Sequence, residues 1–312
     1  MHTPLPSWNA GPAKQAILDF IARVTGEGGP DYIAPIDRIA LFDNDGTLWC
    51  EMPMPVQLYF AQDRLQALAA QHPEWREQEP FRTALAEGAV KAIAGGGMEA
   101  VEKLMAASHA GMTTEEFDDI VRAWLASARH PGTGRPYTQM VYQPMLELLD
   151  YLRQNGFKTF IVSGGGIDFM RAFAADVYGV PPEQVIGSSI NTRYELRDGR
   201  PVLVREPALR FFDDKAAKPV AVQHYIGRAP VATFGNSDGD REMLEWTTMG
   251  QQGARLGLIV HHTDGEREYA YDRQRVVSGT LDKGLDEAPS RGWVLVDMKR
   301  DWNAVFPPQV AR

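Results

Sequence analysis

Residues 39–49 read IALFDNDGTLW, and this stretch decides the fold class. Its first four residues, Ile39–Phe42, are apolar and rich in β-formers, as is typical of a strand buried on both faces of a parallel sheet. Asp43 and Asp45 follow at the strand end, where buried carboxylates are costly unless their charge is compensated. Mg²⁺, a hard cation that takes oxygen ligands, would compensate it, and ligands of open α/β sheets collect at strand carboxyl ends. The alternative is a plain polar turn, for which Gly46 supplies the required backbone freedom.

The composition is that of a soluble globular protein. The chain has 312 residues, of which 44% are hydrophobic and 23% charged. This length allows one large α/β domain with a smaller inserted or second domain. The net charge of −9 argues against nucleic acid or an anionic membrane surface as the main partner. An anionic substrate would therefore need positive charge supplied locally.

The sequence also limits redox chemistry and location. Cys50 is the single cysteine, which excludes an intrachain disulfide framework. The first residues, MHTPLPSWNAGPAKQ, contain no basic region followed by an apolar core, so we expect no signal peptide. No apolar run approaches the ~20 residues of a membrane span. We expect a cytoplasmic protein.

A long helical region follows the first strand. Pro53 and Pro55 predict a loop. Helical patterns then cover residues 56–70, 81–93, 98–109 and 114–127, with one break predicted at the glycines 95–97. A strandless stretch of this length predicts a helical cap at residues 51–130, inserted into a core formed by residues 1–50 and 131–312.

The α/β pattern resumes after the cap. The sequence predicts a helix at 145–153, a strand at 157–162 and a helix at 167–178. Ser163 and Gly164 open the glycine-rich turn between that strand and the second helix. Backbone N–H groups and the helix dipole there can bind an anion, although a plain βα turn is the alternative.

The remaining segments complete the sheet. Asp198-Gly199 lies between alternating runs in residues 185–205 and predicts a β-hairpin without chemistry. A strand is predicted at 231–234, and the last core strand at 256–260, whereas residues 293–296 are interpreted only as a packing element. His261, His262 and Asp264 have no third well-placed histidine or cysteine, so a zinc site is not favoured.

Four motifs in order resemble those of the haloacid-dehalogenase-like superfamily, with the phosphoserine-phosphatase-like branch nearest. They are D-x-D-G-T-L from Asp43, a serine after a strand at Ser163, a lysine opening a helix at Lys218, and a pattern close to G-D-x-x-x-D from Gly235. The resemblance covers residues 39–262 and implies a Rossmann-like parallel sheet with a helical cap. Lys215 is the rival for the lysine, but apolar residues three and four positions later favour Lys218.

The resemblance also implies roles for individual residues. It implies a Mg²⁺-dependent phosphohydrolase in which Asp43 is the nucleophile and Asp45 the general acid/base. The predicted phosphate-binding residues are Ser163, Gly164 and Lys218, and the predicted metal ligands are Asp43, Asp45, Asn236 and Asp240.

The fourth motif departs from the family pattern at one position. Asn236 stands where an aspartate is usual, whereas Asp240 and Met243 keep their places. The amide oxygen can bind Mg²⁺ but adds no charge, so Asn236→Asp is expected to tighten Mg²⁺ binding. The additional acid Asp238 is a candidate to restore the missing charge. A simple acidic helix cap is the alternative reading of this segment.

The sequence does not specify the substrate beyond a small phosphorylated metabolite. Glu51 is a candidate substrate residue, because phosphoserine phosphatases place a glutamate shortly after the first motif. It lies one position closer to the motif than expected, so phosphoserine is not predicted. A phosphotransferase or mutase would share all four motifs. A dehalogenase of this fold would need neither Asp45 nor Mg²⁺, and a non-catalytic binding module is expected to lack Asp43 or Asp45.

Overall fold

The computed structural model describes residues 4–274 and 278–308. In this part of the chain, helices alternate in sequence with the strands of a central sheet. The strands are β1 (Ile39–Phe42), β2 (Lys158–Gly166), β3 (Val185–Arg197), β4 (Arg200–Phe211), β5 (Ala232–Gly235), β6 (Leu256–His261) and β7 (Val294–Asp297).

The seven strands form one sheet in the order β4-β3-β2-β1-β5-β6-β7. All neighbours are parallel except the β3/β4 hairpin. Its turn is formed by Asp198 and Gly199, which both have positive φ, as the Asp-Gly pair predicts. The predicted Rossmann-like α/β sheet is confirmed. β7 was predicted only as a packing element, and instead it pairs with β6 and extends the parallel sheet.

Eleven α-helices are present in the described residues. They are α1 (Pro12–Thr25), α2 (Val56–Leu68), α3 (Phe81–Glu87), α4 (Ala89–His109), α5 (Thr114–Ser127), α6 (Gln143–Gln154), α7 (Ile167–Tyr178), α8 (Ala217–Tyr225), α9 (Arg241–Thr248), α10 (Lys283–Arg291) and α11 (Met298–Asp301).

Helices α2–α5 occupy the predicted cap segment, residues 51–130. The capping box of Thr113 and Glu116 fixes the start of α5. The predicted break at the glycines 95–97 is confirmed, because Gly97 has a non-helical backbone (φ 58°, ψ −144°) and divides α4 into two helical parts at a kink. A further break, inside the predicted helix 81–93, lies at Gly88, whose φ is 101°. The predicted boundaries of the cap stay a prediction.

The inner face of the cap segment is continuous with the core. Phe60 on α2 lies 5.8 Å from Phe117 on α5 and 5.4 Å from Phe169 on α7, measured between ring centroids. These aromatic side chains belong to the same buried cluster as the central strand β1. The outer part of the cap segment has a separate small core around Trp75 and Leu104. The cap segment is therefore anchored to the sheet by its inner helices.

No helix among residues 4–274 and 278–308 is both long and apolar enough to cross a membrane.

Candidate active site

Parallel pairing brings the chemically important residues to one edge of the sheet. β1 pairs with β2 on one side and with β5 on the other, so their carboxyl ends coincide. Asp43 follows β1, Ser163 lies near the end of β2, and Asn236 follows β5. The backbone N–H of Asp43 donates to the Phe234 carbonyl at 2.9 Å, which fixes the start of the loop. The sheet register therefore brings the predicted motifs together.

A buried lysine joins two of the predicted carboxylates. Lys218, on the first turn of α8, is 2% exposed. Its Nζ lies 3.1 Å from Asp43 Oδ1 and donates a 2.6 Å hydrogen bond to Asp240 Oδ1. Burial lowers the pKa of Lys218, but the charges of Asp240 and Asp43 outweigh this effect and raise it. The helix begins at Ala217, so Lys218 lies within its first turn and does not itself open the helix as predicted.

Both oxygens of Asp240 are engaged within the protein. Oδ1 accepts from Lys218, and Oδ2 accepts from the backbone N–H groups of Asn236 and Ser237 at 3.0 and 3.1 Å. Asp240 is fully buried. These contacts favour a role in holding Lys218 and the β5 loop over direct metal ligation, which stays untested.

Asp238 has a different role from the one the sequence suggested. Its carboxylate accepts from the backbone N–H groups of Asp282, Lys283 and Gly284 at 3.2, 3.0 and 2.8 Å. It thus caps the N-terminus of α10, where a negative charge is favourable. The suggestion that Asp238 restores the charge missing at Asn236 is not supported.

Asp45 is oriented by an indole. Its Oδ1 accepts a 2.6 Å hydrogen bond from Trp49 Nε1. Trp49 is fully buried and stacks on Phe173 with ring centroids 4.5 Å apart. Burial raises the pKa of Asp45 to about 7, against the lowering effect of the Trp49 hydrogen bond. Burial and the charge of Asp240 likewise raise the pKa of Asp43.

The glycine turn, residues 163–166, contacts the cap segment; it was predicted to follow the strand, but it forms the irregular last part of β2, with a register shift between Ser163 and Gly166. Ser163 is buried, and its Oγ accepts from the Gly165 N–H at 3.2 Å. The Gly164 carbonyl accepts a 2.8 Å hydrogen bond from Ser188 Oγ on β3. The N–H of Gly166, directly before α7, donates to Gln57 Oε1 on α2 at 2.7 Å. The turn is therefore held from both the sheet and the cap segment, and Gln57 is a contact that the sequence analysis missed.

Glu51 lies beside Asn236 and is enclosed by protein. It is 1% exposed, and its Oε1 accepts a 2.6 Å hydrogen bond from Asn236 Nδ2. Burial raises the pKa of Glu51, whereas the hydrogen bond from Ser278 and the charge of His262 lower it. The role of Glu51 as a substrate residue stays a prediction, and these contacts argue for a role within the protein instead.

Asp213 is a site residue that the sequence analysis did not single out. It is fully buried between β4 and α8, and neither carboxylate oxygen has a hydrogen-bond partner in the described part of the chain. Its backbone N–H donates to Ser188 Oγ at 3.0 Å, the same hydroxyl that binds Gly164. Burial raises the pKa of Asp213 to about 7. Asp213 is identified as a site residue by its position next to Lys218 and the glycine turn. No local sequence pattern indicates this position.

The oxygen donors at the sheet edge fit Mg²⁺. In the residues the structure describes, no group of three or more His, Cys, Asp or Glu side chains is placed to hold a metal. Mg²⁺ does not need one, since it is often held by one or two carboxylates together with waters and substrate phosphate. Within those residues, Asp43 Oδ1 is buried and has no hydrogen-bond partner apart from its 3.1 Å ion pair with Lys218. Asn236 adds an amide oxygen at the end of the neighbouring strand β5. The residues present therefore suit this ion.

A family comparison decides the affiliation of the chain. The model of the family described as "haloacid dehalogenase-like hydrolase" matches residues 40–245, which is about two thirds of the chain. The chain belongs to this family. The matched region of this haloacid dehalogenase-like hydrolase begins within β1 and ends in α9, so it includes every residue of the candidate site.

Solved structures similar to this haloacid dehalogenase-like hydrolase are remote in sequence. A conserved functionally unknown protein from Anaerococcus prevotii is 17% identical, with a TM-score of 0.50 and coverage of 91% of each chain. A protein with unknown function from Bordetella pertussis is 18% identical, with a TM-score of 0.49 and coverage of 84% of this chain and 98% of that chain. A probable phosphoserine phosphatase from Vibrio cholerae is 15% identical, with a TM-score of 0.40 and coverage of 84% of this chain and 67% of that chain. At 17% identity, the likeness to the Anaerococcus prevotii protein concerns the fold alone. The search of curated proteins found no match.

Proposed function

We propose that this hydrolase is a Mg²⁺-dependent phosphomonoesterase that acts on a small phosphorylated metabolite through an aspartyl-phosphate at Asp43. The observation that carries the proposal is the position of the Asp43 carboxylate. It lies at the sheet edge, 3.1 Å from the Lys218 ammonium, beside a glycine turn that opens a helix. A carboxylate can approach an anionic phosphate only where cationic groups offset the repulsion, and Lys218 supplies such a group in a protein of net charge −9.

Each residue then has a defined task. Asp43 attacks phosphorus and forms the acyl phosphate as the P–O bond to the leaving alcohol breaks. Asp45, oriented by Trp49, donates a proton to the leaving oxygen and then accepts one from the water that hydrolyses the intermediate. Lys218, Ser163 and the N–H of Gly164 bind the phosphoryl oxygens, where most of the catalysis of phosphoryl transfer lies.

We assign direct metal ligation to Asp43 and Asn236, with Asp45 as a further predicted ligand. When bound, Mg²⁺ supplies positive charge that neutralises the phosphoryl oxygens and orients them. Asp240 acts indirectly, since both its oxygens hold Lys218 and backbone groups. Such supporting contacts commonly affect metal affinity as well as activity.

The test uses an aryl phosphate, whose leaving group departs without a proton. The native protein should release phenolate and phosphate continuously in Mg²⁺. Asp45→Asn should release about one equivalent of phenolate per site and then stall, because the acyl phosphate forms but its hydrolysis lacks a base. Asp43→Asn should show neither the burst nor turnover above roughly 1% of native.

Asp238→Asn is the matched control, because it changes an acid of the same region that caps α10. It should keep the native burst and turnover. Continuous turnover by Asp43→Asn, after deamidation to aspartate is excluded, would overturn the assignment of the nucleophile. A screen of phosphorylated metabolites with the native protein would then identify the substrate.

A further inference from the structure

The Glu51 carboxylate accepts hydrogen bonds from three donors in distant parts of the chain. Oε1 accepts from Asn236 Nδ2 at 2.6 Å and from the Tyr271 hydroxyl at 2.8 Å, and Oε2 accepts from the Ser278 hydroxyl. With an exposure of 1%, Glu51 offers no surface to a substrate. A buried carboxylate with this many protein donors serves to position its partners.

The partner that matters is the Asn236 amide, whose two ends differ chemically. An ionised carboxylate accepts hydrogen bonds and cannot donate them, so the NH₂ end of the amide must face Glu51. Thr47 Oγ1 donates to the other end, Asn236 Oδ1, at 3.2 Å. The two contacts together fix the amide in one orientation. The oxygen, which alone can ligate a cation, is thereby kept on the side away from Glu51.

We infer that Glu51 is a positioning residue of the metal site, which holds the Asn236 amide so that its oxygen is available to Mg²⁺. The inference rests on the proposed function, since that assigns Asn236 to the metal. It also places one negative charge in direct contact with the neutral ligand. Glu51 thus supports the site without touching substrate or metal.

Two glycines enclose this pair closely. A Cβ at Gly46 would lie 2.0 Å from Asn236 Nδ2 and 2.3 Å from Glu51 Oε1, and a Cβ at Gly279 would lie 2.2 Å from Glu51 Oε1. Both glycines also have positive φ, 72° and 81°. Neither side of the pair has room for a side chain, so Glu51 and residue 236 have little freedom to separate.

This packing reverses the expectation from the sequence for Asn236→Asp. An aspartate at 236 would place two buried carboxylates in direct contact, where both cannot be ionised without a large cost. The added charge therefore weakens Mg²⁺ binding as long as Glu51 remains ionised beside it. In the double variant with Glu51→Gln and Asn236→Asp, the amide is at residue 51 and the carboxylate at residue 236. The hydrogen bond between the two side chains is therefore retained.

The test measures Mg²⁺ dissociation constants by titration calorimetry on substrate-free protein. Asn236→Asp is made in the native protein and in Glu51→Gln. We expect it to weaken Mg²⁺ binding in the first background and to tighten it in the second, with the two effects differing by at least about tenfold. An equal effect in both backgrounds, within about twofold, would overturn the inference.

Further variants distinguish a folding defect, a loss of positioning and a loss of the metal ligand. If Asn236→Asp alone does not fold, restored folding in the double variant supports the contact. Glu51→Ala, which frees the amide, should weaken Mg²⁺ binding several-fold, and native affinity in this variant would contradict a positioning role. Asp264→Asn, which removes a buried acid paired with Arg267, is the matched control and should leave Mg²⁺ binding unchanged. If Asn236→Ala binds Mg²⁺ like the native protein, the metal assignment itself fails, and not only the role of Glu51.

Discussion

Replacing Asp213 by asparagine should stabilise the protein progressively as the pH rises. Asp213 is fully buried, and neither of its carboxylate oxygens has a hydrogen-bond partner among the described residues. Burial raises its pKa from 3.8 to about 7, although the charge of Lys218 opposes this rise. In the unfolded chain the group ionises near its ordinary pKa, whereas the folded protein keeps the proton until about pH 7.

The sign and size follow from this difference in proton binding. Between the two pKa values the folded state binds more protons, so the free energy of unfolding falls as the pH rises through this window. The contribution of protonated Asp213 to the free energy of unfolding is fully present below pH ~4 and is lost above pH ~7. Each pKa unit corresponds to about 1.4 kcal/mol, so the whole shift is worth roughly 4 kcal/mol. Part of this contribution is already lost at pH 5. The free energy of unfolding therefore falls by about 3 kcal/mol between pH 5 and 8.5 because of Asp213.

The assay is equilibrium unfolding in urea at pH 5 and pH 8.5. The asparagine side chain cannot ionise, so the stability of Asp213→Asn relative to native should grow by about 3 kcal/mol between these two values. Asp264→Asn is the control, because the pKa of Asp264 is lowered by contacts with Arg267 despite burial, and that acid is ionised throughout this range. A stability difference for Asp213→Asn that does not change with pH would refute the reasoning.

Three further predictions concern the site. Chelation of Mg²⁺ should abolish phosphatase activity and re-addition should restore it, with Ca²⁺ a poor substitute because its coordination shell is larger and looser; full activity in excess chelator would contradict the metal assignment. Lys218→Met should lower the free energy of unfolding by about 3–5 kcal/mol, because it leaves buried carboxylates unpaired, whereas Lys215→Met, at an exposed position, should change it by less than about 0.5 kcal/mol in urea unfolding. Trp49→Phe keeps the ring stacking but removes the donor to Asp45, so kcat should fall about tenfold more for alkyl than for aryl phosphates; equal losses would show that the indole does not act through the acid.

Local patterns predicted the parts of the fold that depend on neighbouring residues. The strand Ile39–Phe42 and the helices Thr114–Ser127 and Ile167–Tyr178 have the predicted bounds. The start of Thr114–Ser127 is fixed by a cap within four residues, and the end of Ile167–Tyr178 by Gly179 in a left-handed conformation. Such signals are complete within the segment itself.

The sequence was less informative where distant contacts decide the structure. β7 was missed because its short apolar run becomes a strand only by pairing with β6. The break at Gly88 was also missed, because the helical pattern of residues 81–93 continues across it, whereas the glycines at 95–97 did indicate the break at Gly97. Local propensity is a weak guide wherever the tertiary structure decides the conformation.

The candidate site shows the same division. The positions of Asp43, Lys218 and Asn236 at one edge follow from the parallel sheet, so the motifs predicted them. The contact of Glu51 with Asn236 spans 185 positions, and that of Gln57 with Gly166 spans 109. No spacing in one sequence reports such pairs, and for this reason the supporting residues emerged only from the structure.

The aromatic contacts beneath the cap segment make it an integral part of the folded core. Because Phe60 and Phe117 share a buried cluster with Phe169, excising residues 51–130 would expose large apolar surfaces on the core. Replacing the whole cap segment would therefore also require repacking of the core beneath it. Substitutions around Trp75 would disturb the core least, because the outer cap helices have a small core of their own.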